Sequence, residues 1–194
     1  MQFTNQTTTR FGFKPQFRQR VTQIITGPTS SYTLFDSYTT YDNPKTYSRM
    51  GALNVPTNQF TGFSFGFQGV SGIAREFFVV LKKVGTLTGN ISSYIYTSLD
   101  DGGGPYANAW AANGSTVDSA TLTAGESFVK FTTNYVMSAG VTYVFIITYT
   151  GGNASNYIEI ARNASAPSEV NLGYYNGSWL STEDTAGIFY AYKQ

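Results

Sequence analysis

The fold of this chain is decided by the stretch GIAREFFVVLKKVGTLTGNISSYIYT, residues 72–97. Its first half contains an apolar run, residues 77–81, that is aromatic and β-branched and therefore favours a strand over a helix. A run without alternation predicts a central strand that is buried on both faces. The second half, residues 90–97, alternates and places Tyr94 and Tyr96 on one side of a second strand.

Strand signals of the same kind recur outward from this stretch, at the spacing of roughly 8–12 residues that is typical of β-sandwiches. Gly, Pro and Asn-Gly turn signals separate them, and no window shows a long 3.6-residue period. We predict an all-β fold, a jelly-roll-type antiparallel β-sandwich with no helix longer than about two turns. The predicted strands are residues 21–26, 32–41, 59–67, 73–82, 90–97, 116–123, 127–133, 142–150, 156–161, 171–179 and 187–192.

The longest apolar runs predict the core. The sequences FFVVL and YVFIIT lack alternation, so they should form central strands covered on both faces. The residues expected to be buried there are Phe78, Val80, Val144, Phe145, Ile146 and Ile147.

The composition narrows the class of protein. Of the 194 residues, 41% are hydrophobic and only 12% are charged, which is typical of an ordered chain rather than a disordered one. Such a low charge content also favours a subunit of an assembly over a protein that is soluble as a free monomer. The chain has no Cys and no His, which excludes the usual zinc sites, thiol nucleophiles and histidine bases. A glycosidase would need two opposed carboxylates, and no acid pair stands in a recognisable motif. We therefore predict a protein that is not an enzyme and needs no cofactor.

The charge is distributed unevenly. Residues 1–50 hold six Lys and Arg against two Asp, a net charge of +4, and the remainder carries −3. The first twenty residues contain four cations, four Phe and no acid, without a clear period. We predict that residues 1–50 form an extended N-terminal arm and attachment segment and that residues 51–194 form the sandwich; the alternative is a first strand of the same domain. The candidate attachment residues are Arg10, Phe11, Phe13, Lys14, Phe17, Arg18 and Arg20.

Neither a membrane nor a nucleic acid is expected as a partner. The first twenty residues lack the apolar run of about 7–15 residues that marks a signal peptide. No stretch reaches the length of about 18 apolar residues needed for a transmembrane helix. The sequence pI of 7.8 falls short of the strongly basic domains that bind nucleic acid.

Three stretches of the sequence carry a family resemblance. They are residues 72–97, quoted above; residues 119–152, SATLTAGESFVKFTTNYVMSAGVTYVFIITYTGG; and residues 174–192, YYNGSWLSTEDTAGIFYAY. The shared pattern includes a Lys-x-Gly strand end, a Leu-Thr pair before an aromatic strand, and Ala-Gly-Val-Thr-Tyr leading a core strand. Over about two-thirds of its length the chain resembles the "choice-of-anchor" β-sandwich domains. Those domains are similar to carbohydrate-binding modules and occur in bacterial surface proteins and bacteriophage virion proteins.

The resemblance implies a non-enzymatic structural protein of a bacteriophage virion, as a capsid decoration, head fibre or tail-associated subunit. Its partners would be other virion proteins or copies of itself, and a host-surface glycan. No anchor signal stands at either end of the sequence, which favours a virion over a cell surface. The alternative is a glycan-binding adhesion module of a bacterial surface or secreted protein.

The loop DDGGGP, residues 100–105, has two interpretations. Asp100 and Asp101 could supply oxygen ligands to Ca²⁺, with backbone carbonyls adding more. However, calcium loops space their acids at alternate positions, and this loop does not. The favoured interpretation is a solvated connection whose glycines permit positive φ and whose Pro starts the next segment.

Aromatic residues near predicted loops are the candidates for glycan binding. Ring faces stack on the C–H face of a pyranose, while polar groups around them bond its hydroxyls. Trp110 and Tyr106 follow the Gly-rich loop and are expected to project from it as a rim, and the Asn176-Gly177 turn signal precedes Trp179. The alternative for each ring is ordinary burial between the sheets. The glycan-binding candidates are Tyr106, Trp110, Trp179 and Tyr174.

Overall fold

The computed structural model describes residues 30–39, 46–51, 59–99, 106–163, 172–175, 179–182 and 186–194. Within these ranges the chain forms strands and one three-residue 3-10 helix, Ser119–Thr121, so the predicted all-β class is confirmed. The strands are β1 (Thr33–Tyr38), β2 (Thr46–Met50), β3 (Gln59–Phe60), β4 (Gly62–Gln68), β5 (Gly72–Val84), β6 (Asn90–Leu99), β7 (Tyr106–Asp118), β8 (Ser127–Met137), β9 (Thr142–Thr148), β10 (Tyr157–Asn163), β11 (Leu172–Tyr175), β12 (Trp179–Thr182), β13 (Ala186–Gly187) and β14 (Phe189–Lys193).

Sheet A is built around the 13-residue strand β5. Strand β8 pairs with one edge of β5, while β14 and β10 share the other edge, β14 along its first half and β10 along its end. Strand β14 carries β1, and β10 carries β2, which is followed by β3 in parallel. The sheet forks at Ile188, whose N–H donates to the carbonyl of Ala161 (3.1 Å) and whose carbonyl accepts from the N–H of Val80 (3.3 Å).

Sheet B has the strand order β12-β11-β4-β9-β6-β7, and every pair in it is antiparallel. From β4 onward the chain passes repeatedly from one sheet to the other, because β5, β8, β10, β13 and β14 lie in sheet A and the strands between them lie in sheet B. Two antiparallel sheets therefore pack face to face, as the predicted sandwich requires.

Aromatic rings from both sheets fill the core. The rings of Phe77 in β5 and Phe145 in β9 stack with centroids 4.2 Å apart and planes only 1° from parallel. Phe65 and Phe131 pack against the same Phe145 ring, at 6.4 and 5.7 Å. These rings belong to alternating positions of their strands, so each strand turns one row of large side chains toward the opposite sheet.

The two strands predicted to be buried on both faces are buried in this way. Phe78, Val80, Val144, Phe145, Ile146 and Ile147 are each at most 7% exposed, which confirms the predicted core residues. Strand β5 lies between β8 and the β14 and β10 pair, and β9 lies between β4 and β6. On the face of sheet A turned away from sheet B, Val80 joins Ala161 and Ile188 in a second, smaller apolar cluster.

Sheet B curls around the face that it turns away from sheet A, here called the distal face. Val144 and Ile146 lie at the centre of this face, flanked by Gly66 and Ser64 of β4, and they are 0% and 1% exposed. The two edge strands of the sheet, β12 and β7, approach each other. The distal face is therefore concave, and buried side chains, those of Val144 and Ile146, occupy its centre.

The boundary predicted between arm and sandwich at residue 50 is too late. Strands β1 and β2 both lie in sheet A, where β1 pairs with β14 and β2 with β10. Phe35 of β1 packs edge-on against Phe67 and Phe77, at centroid distances of 5.7 and 6.4 Å. The sandwich thus includes Thr33–Tyr38 and Thr46–Met50, which lie within the predicted arm, because Phe35 and Tyr38 pack against the core.

The strand predicted at residues 116–123 also needs correction. Strand β7 begins at Tyr106 and ends at Asp118, and the 3-10 helix Ser119–Thr121 follows. The Asp118 carboxylate accepts a hydrogen bond from the N–H of Ala120 (2.9 Å) and so caps this helix. The hairpin partner of β7 is β6, which the sequence pattern did not indicate.

Candidate functional site

Strand β7 carries the most irregular pairing in the structure. Its register with β6 shifts three times, at Ser92/Tyr94, Ile95/Tyr96 and Thr97/Ser98 of β6. At each shift β7 contributes one residue more than β6, which is the definition of a β-bulge. Bulges re-aim side chains and increase local twist, and they are over-represented beside functional sites.

The bulges give the distal side of β7 a period of three instead of two. In the register, Trp110 pairs with Tyr96, Asn113 with Tyr94 and Thr116 with Ser92. Without an extra residue between them, Trp110 and Asn113 would lie on opposite faces of the strand. With it, three residues of β7 and three of β6 form one surface, here called the β6–β7 surface: Ser92, Tyr94, Tyr96, Trp110, Asn113 and Thr116.

Among the aromatic residues whose side chains the structure describes, Trp110 is the most exposed, with 59% of its area accessible. Its indole Nε1 donates to Oδ1 of Asn113 at 3.2 Å, which orients both side chains on the same face. Tyr94 and Tyr96 beside them are half-buried. An exposed ring held by a neighbouring amide is a stacking platform with a polar group at its edge.

A shallow depression lies next to this platform. It has a volume of about 240 Å³ and is lined by Ser92, Ser93, Tyr94, Asn113, Gly114 and Thr116. The lining supplies hydroxyl and amide groups, which both donate and accept hydrogen bonds. Such a surface can bind a neutral, hydroxyl-rich molecule beside the Trp110 ring.

Gly114 and Ser115 fix the shape of the depression. The hydroxyl of Ser93 donates to the carbonyl of Ser115 (2.6 Å), and the hydroxyl of Ser115 accepts from the N–H of Thr132 in β8 (2.9 Å). A Cβ on Gly114 would clash with the hydroxyl of Ser93 and lie 3.2 Å from the carbonyl of Thr132. This bulge therefore ties the edge of sheet B to the edge of sheet A, and a side chain at Gly114 would have to displace the Ser93 hydroxyl.

The two sheets differ sharply in charge. The six strands of sheet B contain no Lys or Arg and a single acid, Asp118. The strands of sheet A contain ten charged residues: Asp36, Arg49, Arg75, Glu76, Lys82, Lys83, Lys130, Glu159, Arg162 and Lys193. The charged side chains of the described strands are therefore concentrated in sheet A.

The charged groups of sheet A are partly paired with each other. Lys82 and Glu159 approach to 2.7 Å, and the Lys82 ammonium also lies 4.0 Å from the ring centroid of Tyr47. Glu76 is only 9% exposed and meets Lys130 at 3.3 Å. The hydroxyl of Ser30 donates to the other oxygen of Glu76 (2.5 Å). These contacts lie along the sheet and have the character of structural pairing.

Burial raises the pKa of several tyrosines. Burial is the main cause of the raised pKa of Tyr190 and of the raised pKa of Tyr192. The negative charges of Tyr190 and Glu76 raise the pKa of Tyr192 further. Burial, together with Tyr143, likewise raises the pKa of Tyr135. None of these groups lies on the β6–β7 surface.

The predicted glycan-binding residues fall on three strands. Tyr106 and Trp110 belong to β7 itself, so the expectation that they project from the Gly-rich loop is wrong; pairing with β6 draws them into the sheet. Tyr174 in β11 is in register with the core residue Phe63, whereas Trp179 in β12 is in register with Tyr175. Because β12 approaches β7, the strand of Trp179 borders the same face of sheet B as Trp110.

Sequence reasoning missed Asn113, Thr116 and Ser92. The signal that could have found them is the three-residue spacing of Trp110, Asn113 and Thr116, which a search for strict alternation passes over. The candidate attachment residues from Arg10 to Arg20 and the candidate calcium ligands Asp100 and Asp101 lie outside the described residues. Among the described residues, no three acidic side chains are grouped as a metal site would require.

Comparisons with protein-family models, with curated proteins and with solved structures returned no significant match. In the part of the chain that the structure describes, no helix is long and apolar enough to cross a membrane.

Proposed function

We propose that this chain is a non-enzymatic structural subunit of a bacteriophage virion, and that its sandwich binds carbohydrate on the β6–β7 surface. The observation that carries the binding proposal is Trp110, an exposed indole ring held by Asn113 beside an uncharged, hydroxyl-lined depression. Stacking of the ring on a pyranose, with Asn113 and Thr116 bonding its hydroxyls, would use each of these groups.

The proposed place in a particle rests on a different part of the molecule. Three exposed apolar residues, Leu34, Val136 and Val141, lie toward the end of the sandwich where β5 begins and β14 ends. Strand β1 also begins at this end, and Ser30, which precedes it, contacts Glu76. Apolar side chains that the monomer leaves in water favour contact with a neighbouring subunit. The depression beside Thr116 lies toward the opposite end, so attachment and binding would not compete.

The binding proposal is tested with a glycan array probed by the full chain displayed in many copies on a bead. Display is needed because one or two sugars bind weakly and repetition raises the apparent affinity. Trp110→Ala should lower retention by about tenfold or more, equivalent to about 1.4 kcal/mol, and Trp110→Phe should retain part of it.

The matched control is Val136→Ala, which removes an exposed side chain far from the β6–β7 surface and should bind like the parent chain. If no glycan is retained, or if folded Trp110→Ala is retained equally, the ring is not a binding platform.

The virion proposal has its own test, the identity of the neighbouring genes. Capsid, portal or tail genes beside this one support it. Polysaccharide-degrading genes would instead support an adhesion module of a bacterial surface or secreted protein, which would use the same β6–β7 surface.

A further inference from the structure

We infer that the β6–β7 surface selects neutral glycans and rejects anionic ones such as uronic-acid or sulfated polysaccharides. This inference rests on the proposed carbohydrate binding and adds the chemical class of the ligand. It comes from the sorting of charge between the two sheets, which is independent of the exposed ring.

The first step is the absence of a cation on the described strands of sheet B. No Lys or Arg occurs in β4, β6, β7, β9, β11 or β12. A carboxylate or sulfate that leaves water to lie in the depression would lose hydration without gaining a charged partner. Proteins that recognise such groups normally provide Arg or Lys, since charge-assisted hydrogen bonds are about twice as strong as neutral ones.

The second step is the position of the one acid of sheet B. Asp118 follows Thr116 on the same side of β7 and is exposed, so its negative charge borders the depression. Lys83 reaches this end of β7 from sheet A, and its ammonium donates to the carbonyl of Ala120 (2.9 Å). Both charged groups bond to the 3-10 helix, but only Asp118 belongs to a strand that lines the depression.

The third step is that the groups present match a neutral sugar. Ser92, Thr116, Tyr94 and Asn113 offer hydroxyl and amide groups, which both donate and accept. Sugar hydroxyls likewise donate and accept, so each can be paired without a charged group. From Tyr96 to Ser92 the surface extends over four residues of strand, about 13 Å, which favours an oligosaccharide over a single ring.

The test uses pairs of polysaccharides that share a backbone and differ in charge: dextran with dextran sulfate, and hydroxyethyl cellulose with carboxymethyl cellulose, alongside the array. For any backbone that the bead-displayed chain retains, the neutral member should bind at least about tenfold better than its anionic partner. Retention of the neutral member should change little when NaCl is raised to about 0.5 M, because no ion pair is involved.

Two variants sharpen the test. Thr116→Lys adds a cation at the edge of the depression and should raise binding of the anionic members. Asp118→Asn removes the charge while keeping a side-chain oxygen that can cap the helix, and it should narrow the difference between the members of a pair. Val136→Ala should change neither.

The outcomes separate this inference from the function on which it rests. If anionic polysaccharides bind as well as or better than neutral ones, and Trp110→Ala abolishes that binding, carbohydrate binding stands and neutral selectivity is wrong. If nothing binds, or binding does not depend on Trp110, both are overturned. Sedimentation that shows self-association lost in Trp110→Ala, with no glycan bound, overturns both as well and assigns the surface to contact between copies.

Discussion

At the scale of single residues, Phe145 is where the aromatic core converges. Its ring stacks on Phe77 and also meets Phe65 and Phe131, so rings from both sheets share one contact point. Phe78 lies one position from Phe77 but on the other face of β5, where it packs edge-on against Tyr192 at 5.6 Å. The two Phe residues therefore sample two different apolar layers.

Phe145→Ala should destabilise the fold by about 3–5 kcal/mol, because it removes a fully buried ring and leaves a cavity among three others. For a chain of this size that corresponds to a fall in Tm of roughly 6–20 °C, measured by calorimetry. Phe78→Ala should also lower Tm sharply. Val136→Ala is the control, since its side chain is 70% exposed. A change of only a degree or two in both Phe variants would show that these layers carry little stability.

Alkaline pH should destabilise the protein through its buried tyrosines. The folded state raises the pKa of Tyr190 and Tyr192 above the ordinary value of 10.0, so folded protein holds these protons more tightly than unfolded protein does. Stability from this source is fully present below pH 10 and is lost as pH rises from about 10 through the raised values. Urea unfolding at several values from pH 8 to about 11 measures it. The double variant Tyr190→Phe/Tyr192→Phe should lose less stability over that range, and an equal loss would contradict the assignment.

At the scale of elements, β7 is the strand that its own sequence least supports. Its residues YANAWAANGSTVD are rich in Ala, Asn, Gly and Ser, which are poor strand formers. Pairing with β6 along its whole length and the contact of Ser115 with β8 hold it in the sheet. The Gly114–Ser115 bulge has two effects. It joins the two sheets, and it places Asn113 and Thr116 on the distal face.

Gly114→Ala should therefore act on stability and binding together. The added methyl would clash with the hydroxyl of Ser93, and overpacking of this kind typically costs about 1–3 kcal/mol. Gly125→Ala is the matched control, because a Cβ there meets nothing within 4 Å. Calorimetry and the bead-retention assay should show lower Tm and weaker glycan retention for Gly114→Ala only. Equal behaviour of the two variants would mean that the bulge tolerates a side chain.

At the scale of the whole molecule, the two ends of the sandwich differ in the residues that they expose. Exposed apolar residues and the start of β1 lie at one end of the sandwich, and the depression lined by uncharged residues lies toward the other. The N-terminal sequence, with four cations, four Phe and no acid in its first twenty residues, precedes β1 in the chain, and β1 begins at the end with the exposed apolar residues. This arrangement separates the part proposed to join a particle from the part proposed to face a ligand.

Two truncations distinguish an arm from a core element. Deletion of residues 1–20 should leave a folded sandwich, with Tm within a few degrees of the parent, that no longer joins its particle or oligomer. Deletion of residues 1–39 also removes β1, which uncovers the edge of β14 and the Phe35 contacts, and it should lower Tm sharply or cause aggregation. Circular dichroism and sedimentation measure both. Unfolding on deletion of residues 1–20 alone would place that segment in the core.

The sequence by itself determined the class of fold and the centre of the core. Strands β4, β5, β6, β8, β9 and β10 were predicted near their observed positions because their β-branched and aromatic residues carry local strand preference and a clear pattern of burial. The alternation in β6 also predicted that Tyr94 and Tyr96 share one side of the strand, and the register places that side away from the core.

Only the tertiary structure decided where the candidate site lies. A segment rich in Ala, Asn and Gly has little strand preference of its own and becomes a strand by pairing with its neighbours. The local sequence pattern therefore did not indicate the extent of β7. Bulges arise from pairing between two strands, and they alone bring Trp110, Asn113 and Thr116 to one face. The sorting of charge into sheet A likewise depends on which strands pair, because residues distant in sequence, such as Lys82 and Glu159, become neighbours only when the sheet forms.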